Sequence, residues 1–172
     1  MNHLKYELSV KVANLIQAQK YRCWYNARDA LVHLPGMFLC AWYVEGWLVV
    51  PKDKEVQVVE HGWIECEDGR IVDPSIVLLE AKEQDMDYFP GFRCGWSQMQ
   101  EIPQDVCLPL AHLVSHRKDG LGYPEYKTAY DAAVAHAEQL AQVSGKPVQM
   151  YPGETFITVM SEKGAIVIIM KG

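Results

Sequence analysis

The chain lacks the cysteine patterns of a disulfide or zinc scaffold. It has five cysteines in 172 residues, an odd number, and none of them form a C-x-x-C pair. Clustered basic residues are also scarce: the net charge is -6, and the longest basic run is His116-Arg117-Lys118. Because phosphate binding depends on clustered Lys and Arg, nucleic acid is not an expected partner. The cysteine usage predicts reduced thiols and a cytoplasmic location.

Long hydrophobic runs are missing too. The most apolar stretch, Phe38 to Val50, is about thirteen residues long and contains Glu45, whereas a membrane-spanning helix needs about 20 residues. The N-terminal stretch has no apolar core and carries an early Glu7, so no signal peptide is expected. With 49% apolar and 22% charged residues, the chain has the composition of a globular protein without a membrane partner.

Hydrophobic spacing predicts an α+β fold. An amphipathic helix is expected from about Glu7 to Gln19, and a second one from near Cys23 to the breaker Leu34-Pro35-Gly36. Residues from Leu39 to Ser75 are rich in Val, Ile, Trp and Tyr, which favour strands. Strands are predicted at about 40–50, 56–66 and 70–73.

The second half is predicted to contain a long loop and a helix–hairpin unit. Residues 81 to 106 show no clear period and are expected to form a loop packed by Tyr88, Phe89, Phe92 and Trp96. A helix is predicted at 126–143, with Gly145 as its cap, and a hairpin at 155–160 and 165–170. We predict a catalytic core in residues 1–120 and a small extension in 121–172, whose helix packs on its own hairpin.

Three residues of complementary chemistry follow one another in short motifs. Cys23 lies in K-Y-R-C-W-Y-N, His61 in V-V-E-H-G-W-I-E-C and Asp73 in G-R-I-V-D-P-S. A thiolate can attack an acyl carbon, an imidazole can move the proton, and a carboxylate can orient the imidazole. At a helix start, Cys23 would have backbone N–H groups beside it that favour a thiolate and an oxyanion. The remaining cysteines are expected to be small core residues: Cys40, Cys66, Cys94 and Cys107.

Strand register decides whether His61 and Asp73 can meet. If residues 67–69 form a three-residue hairpin loop with a left-handed glycine at the end, Cys66 pairs with Arg70. His61 then lies one diagonal step from Asp73 on the same face, at about 7–8 Å between backbones. A two-residue loop would place the two side chains on opposite faces, because side chains alternate along a strand. The triad therefore predicts the three-residue register.

The order of these motifs resembles that of the transglutaminase-like superfamily within the papain-like cysteine proteases. The matching residues are Cys23, then Gly36, Tyr43, Val44 and Gly46, then His61, Trp63 and Glu65, then Asp68, Gly69 and Asp73 to Ser75. The resemblance covers about residues 20 to 76, and residues 81 to 172 match nothing in the family. It implies a Cys-His-Asp triad, a nucleophile helix packed on an antiparallel sheet, and acyl transfer through a thioester. Gly62 stands where the family commonly has Ala.

Three more residues are predicted to bind substrate. Gln17, six residues before Cys23, is a candidate oxyanion donor, although such a Gln is usually solvated. Asn26 would share the helix face of Cys23 and line the cleft, unless it simply faces solvent. Trp63 could shield the imidazole from water; the alternative is packing beneath the histidine.

No cofactor or metal is predicted. His112 and His116 have the i, i+4 spacing of a metal pair, but no third ligand at a supporting spacing is evident.

The favoured function is a thiol-dependent hydrolase or acyltransferase. It would act on an amide, either a peptide bond or a glutamine side chain, in a peptide or protein substrate. The alternatives are a non-catalytic protein-binding module that retains the fold, and a structural protein with a coincidental triad. The substrate, the choice between hydrolysis and transfer, and the oligomeric state stay open.

Overall fold

The structure is a computed structural model that describes residues 3–78, 86–106, 108–111, 124–151, 155–161 and 164–170. These residues form an α+β fold with an open, mainly antiparallel main sheet and a separate two-stranded sheet. The helices are α1 (Tyr6–Ile16), α2 (Cys23–His33), α3 (Pro35–Phe38), α4 (Trp96–Glu101) and α5 (Pro124–Ser144). The strands are β1 (His3–Leu4), β2 (Ala41–Pro51), β3 (Val56–Cys66), β4 (Arg70–Val72), β5 (Asp87–Gly95), β6 (Val148–Tyr151), β7 (Thr155–Ser161) and β8 (Gly164–Met170).

The main sheet has the order β1–β4–β3–β2–β5, and β6 also pairs with β3. Because β2 occupies one edge of β3 along its whole length, β4 and β6 both lie at the other edge. There β6 pairs along Val56–Val59, and β4 pairs at Ile64 and Glu65. Residues 60–63 lie between these two pairing segments, and they include His61.

The first two predicted helices and the three predicted strands are confirmed with small shifts of their ends. Helix α1 ends at Ile16 because Gln17 adopts a left-handed conformation (φ 55°). Helix α2 ends at His33, just before Pro35, which lacks the N–H needed to continue a helix and instead opens α3. The buried face of α2 packs on the sheet beside Tyr43 and Ile64.

Helix α5 covers the same face of the sheet. Its buried residues are three alanines, which let the helix approach Trp47, Val49, Val56 and Val58 closely. The helix and its cap, Gly145 (φ 70°), were predicted from the sequence and are confirmed. The prediction that this helix packs on its own hairpin is wrong, because its alanine stripe is buried against apolar side chains of the main sheet.

The C-terminal hairpin is confirmed as a two-stranded sheet, with Thr155 opposite Met170. The division of the chain at residues 120 and 121 stays a prediction, although α5 shares its core with the sheet. Among the helices formed by the described residues, none has both the length and the apolar character to traverse a bilayer.

The prediction of a long loop over residues 81 to 106 is wrong for most of that stretch. Strand β5 pairs with β2, and α4 follows directly after it. Pro90 and Gly91 obscured the strand pattern in the sequence, but a register shift opposite Glu45 and Gly46 accommodates them. Residues 79–85 lie outside the described part of the chain.

Candidate active site

Cys23 is the first residue of α2, as predicted. The first turn of this helix lies directly on β3, because Gly62 has no side chain to hold it away. A methyl group on Gly62 would lie 2.9 Å from the Cα of Trp24 and 3.2 Å from its backbone nitrogen. The nucleophile helix therefore starts against the strand segment that carries His61.

The predicted hairpin register is confirmed. Ile64 pairs with Val72 and Glu65 with Ile71, which places Cys66 opposite Arg70. Gly69 takes the left-handed conformation (φ 78°), and its N–H donates to the Cys66 carbonyl oxygen at 2.9 Å. The three-residue turn brings Asp73 to the face of His61.

His61 and Asp73 form a fully buried pair, with 2.8 Å between Nε2 of the imidazole and Oδ2 of the carboxylate. The same Oδ2 accepts a hydrogen bond from the Tyr88 hydroxyl at 3.0 Å. Oδ1 accepts from the backbone N–H of Ser75 at 2.8 Å. The backbone N–H of Asp73 itself donates to the Ser9 hydroxyl oxygen at 3.0 Å. Three contacts thus hold the carboxylate of Asp73 in place, and a fourth holds its backbone.

The Cys23 thiol and the Asp73 carboxylate both affect the pKa of the His61 imidazole. Burial alone would lower the pKa of His61, but the negative charges of Asp73 and Cys23, and hydrogen bonds to both, raise this pKa well above its ordinary value of 6.5. Because Nε2 contacts Asp73, Nδ1 is the ring nitrogen left to face the thiol. An imidazole beside a thiol can take up and return the proton of that thiol, which is what a cysteine nucleophile requires. The structure therefore brings the three predicted residues together.

Trp63 lies beneath this pair. It is fully buried and stacks on the His61 ring, with 6.4 Å between ring centroids and 18° between planes. Its full burial contradicts the predicted contact with substrate and favours the alternative of packing under the histidine.

Asn26 does not line the cleft as predicted. Its side chain is buried, and it forms hydrogen bonds with Gln19 and Ser75. Its Nδ2 donates to the Gln19 carbonyl oxygen at 2.8 Å and to the Ser75 hydroxyl at 2.9 Å, and its Oδ1 accepts from the Gln19 N–H at 3.1 Å. The residues just before Cys23 are thereby fixed to the segment just after Asp73. Gln17 is exposed beside this loop, and its role as an oxyanion donor stays a prediction.

Glu45 is a buried carboxylate for which no role was predicted from the sequence. It lies opposite Gly62 in the sheet and accepts hydrogen bonds from the Tyr43 hydroxyl (2.6 Å) and the N–H groups of Leu110 (2.6 Å) and Ala111 (2.7 Å). Burial raises the pKa of Glu45 to about 7, although these hydrogen bonds lower it. A lone Glu inside an apolar strand was the signal that could have revealed it.

The other described cysteines differ in their exposure to solvent. Cys94 is buried and Cys66 is partly buried, but Cys40 is exposed, which corrects its predicted place in the core. It is exposed because it lies in the turn between α3 and β2. Cys107, His112 and His116 lie outside the described residues. Within the described ranges, no cluster of three or more His, Cys, Asp or Glu residues could hold a metal ion.

Comparisons with protein-family models, with curated proteins and with solved structures find no match for this chain. The protein has an α+β fold, and its Cys23, His61 and Asp73 lie close together at the start of α2. Membership of the transglutaminase-like superfamily stays a prediction.

Proposed function

We propose that this protein is a cysteine hydrolase or acyltransferase with a papain-like fold of the transglutaminase-like type, acting on an amide of a peptide or protein. The observation that supports this most strongly is the buried 2.8 Å contact between His61 and Asp73, with Cys23 acting on the same imidazole from a helix start.

The reaction would follow from the placement of these groups. The Cys23 thiolate attacks the amide carbonyl carbon, and the free N–H groups in the first turn of α2 stabilise the oxyanion. The imidazolium of His61 gives its proton to the departing amine, the C–N bond breaks, and a thioester remains on Cys23. Neutral His61 then takes a proton from water or from a second amine as it attacks the thioester. The acid or the new amide leaves, and the thiolate–imidazolium pair is restored.

Burial of the His61–Asp73 pair favours catalysis over a purely structural role. Removing two charged groups from water costs several kcal/mol per ion, which mutual attraction only partly offsets. Perturbed buried groups of this kind concentrate at reactive sites.

Alkylation by iodoacetamide at neutral pH, mapped by mass spectrometry, tests the nucleophile without a known substrate. Cys40 is an internal comparator, because it is exposed and more accessible than the partly buried Cys23. We expect Cys23 to react at least tenfold faster than Cys40, because His61 lies beside Cys23 and can activate its thiol.

Cys23→Ala should remove the fast reaction and any activity on glutamine-containing peptides, while circular dichroism shows an intact fold. Incorporation of an added primary amine into the peptide, measured against formation of the glutamate product, then separates transfer from hydrolysis, because both routes release ammonia from glutamine. If Cys40 reacts faster than Cys23, or if activity survives Cys23→Ala, the proposal is wrong and a binding or structural role replaces it.

A further inference from the structure

We infer that Tyr88 is a fourth member of the site, a positioning residue that acts on His61 through Asp73. This inference rests on the proposed function and names a residue that the triad alone does not include. Tyr88 lies on β5, on the far side of β2 from the strand of His61.

The first argument is the atom that Tyr88 contacts. Its hydroxyl lies 3.0 Å from Oδ2 of Asp73, the same oxygen that lies 2.8 Å from His61. The Ser75 N–H occupies the other carboxylate oxygen at 2.8 Å. With donors on both oxygens, the carboxylate cannot rotate about its Cβ–Cγ bond without breaking a hydrogen bond. Tyr88 thereby fixes the direction in which Asp73 faces the imidazole.

The second argument is how firmly Tyr88 is held. It is buried, and its strand position is set by pairing with Leu48 of β2. Its ring meets Trp63 edge-on, with centroids 5.1 Å apart, and Trp63 in turn stacks on His61. Trp63 therefore supports both side chains that contact Oδ2 of Asp73. Strand pairing and ring packing therefore fix the position of the Tyr88 hydroxyl.

The third argument is the direction of the proton. Burial, the charge of Asp73 and the hydrogen bond to it raise the pKa of Tyr88 well above 10. Tyr88 therefore stays protonated and donates, and Asp73 stays the acceptor. A neutral donor at Oδ2 holds this oxygen in place beside His61, and the charge of Asp73 raises the pKa of that imidazole.

Tyr88→Phe removes the hydroxyl and keeps the ring packing. We expect Cys23 alkylation and amide turnover to fall about tenfold, the loss that corresponds to one hydrogen bond to a charged group. Asp73→Asn should cause a larger loss. Because Tyr88 acts through Asp73, the double variant should be no slower than Asp73→Asn alone, whereas an independent role would make the two losses multiply.

Tyr43→Phe is the matched control, since it removes a buried hydroxyl bonded to a different carboxylate, that of Glu45, in the same sheet. It should lower the melting temperature about as much as Tyr88→Phe, and any effect on the rate should multiply with that of Asp73→Asn. If Tyr88→Phe does not fold, 3-fluorotyrosine placed at position 88 keeps the ring and makes the hydroxyl a stronger donor. The alkylation rate should then change while the melting temperature does not.

A wild-type rate in Tyr88→Phe, an unchanged rate in the fluorinated protein, or multiplying losses in the double variant would each overturn the inference. The proposed function is judged separately. If Cys23 is slow in the wild-type protein, the proposed function fails and Tyr88 has no role to play. If Cys23 is fast and Tyr88→Phe does not slow it, only the role of Tyr88 is refuted.

Discussion

Gly62→Ala should disable the site by moving the nucleophile helix. The added methyl group would lie 2.9 Å from the Cα of Trp24 and 2.7 Å from its Cδ1. Carbon atoms pack at about 3.5–4.0 Å, so the two elements must separate by about 1 Å. The indole could swing aside, but the Cα belongs to the backbone, and the start of α2 must therefore move.

The size of the effect follows from that displacement. Overpacking of this kind costs about 1–3 kcal/mol of stability. A misplacement of about 1 Å next to the reacting atoms can reduce a rate about 100-fold. We therefore expect Gly62→Ala to slow Cys23 alkylation by one to two orders of magnitude at a temperature where the variant is folded.

The assay pairs thermal denaturation with the iodoacetamide rate constant of Cys23. Gly36→Ala is the matched control, because no atom lies within 4 Å of the position that its methyl group would take. It replaces a glycine in the short helix α3, and it should leave the rate unchanged and raise stability by up to about 1 kcal/mol. If Gly62→Ala retains the wild-type rate and melting temperature, α2 does not lie as close to β3 as described, and the reasoning fails.

Two further predictions concern buried polar side chains. Asn26→Ala removes two hydrogen bonds to Gln19, in the loop before Cys23, and one to Ser75, in the segment after Asp73. It should therefore lower the free energy of unfolding by about 2–4 kcal/mol and slow Cys23 alkylation. Urea denaturation and the alkylation rate check this, and no change in either would contradict it. The pKa of Glu45 is raised from 4.5 to about 7, so the folded protein holds this proton more tightly than the unfolded chain does. The free energy of unfolding should therefore fall by up to about 3 kcal/mol as the pH rises from 4.5 to 7. In urea denaturation across this range, the free energy of unfolding should vary less with pH in Glu45→Gln than in the wild-type protein. Equal pH dependence in the two proteins would rule out a raised pKa at Glu45.

Features that depend on neighbours in the sequence could be predicted without the structure. The helix start at Cys23 and its end before Pro35 follow from local rules of capping and chain breaking. The hairpin register follows from a left-handed glycine at position 69 and from the alternation of side chains along strands. Because both strands of that hairpin lie within a few residues of the turn, the contact between His61 and Asp73 could be anticipated.

Features that depend on residues far apart in the chain could not be predicted. Ser9 and Asp73 are separated by 64 positions, and Glu45 and Leu110 by 65. No periodic pattern marks such partners, since the period of apolar residues shows which face of an element is buried and not which distant group it will contact. Tyr88 was assigned to a loop because Pro90 and Gly91 obscure the strand that carries it.

The amino-acid order by itself determined that Cys23, His61 and Asp73 were the candidate reactive residues. It also determined the turn at Gly69 that brings His61 and Asp73 to one face. Tertiary structure alone decided what supports them. It placed α5 on the main sheet, buried Asn26 and Trp63 away from a substrate, and set Tyr88 against Asp73. The physical reason is that local propensities act over a few residues, whereas burial and hydrogen-bond partners are chosen only when distant segments pack against each other.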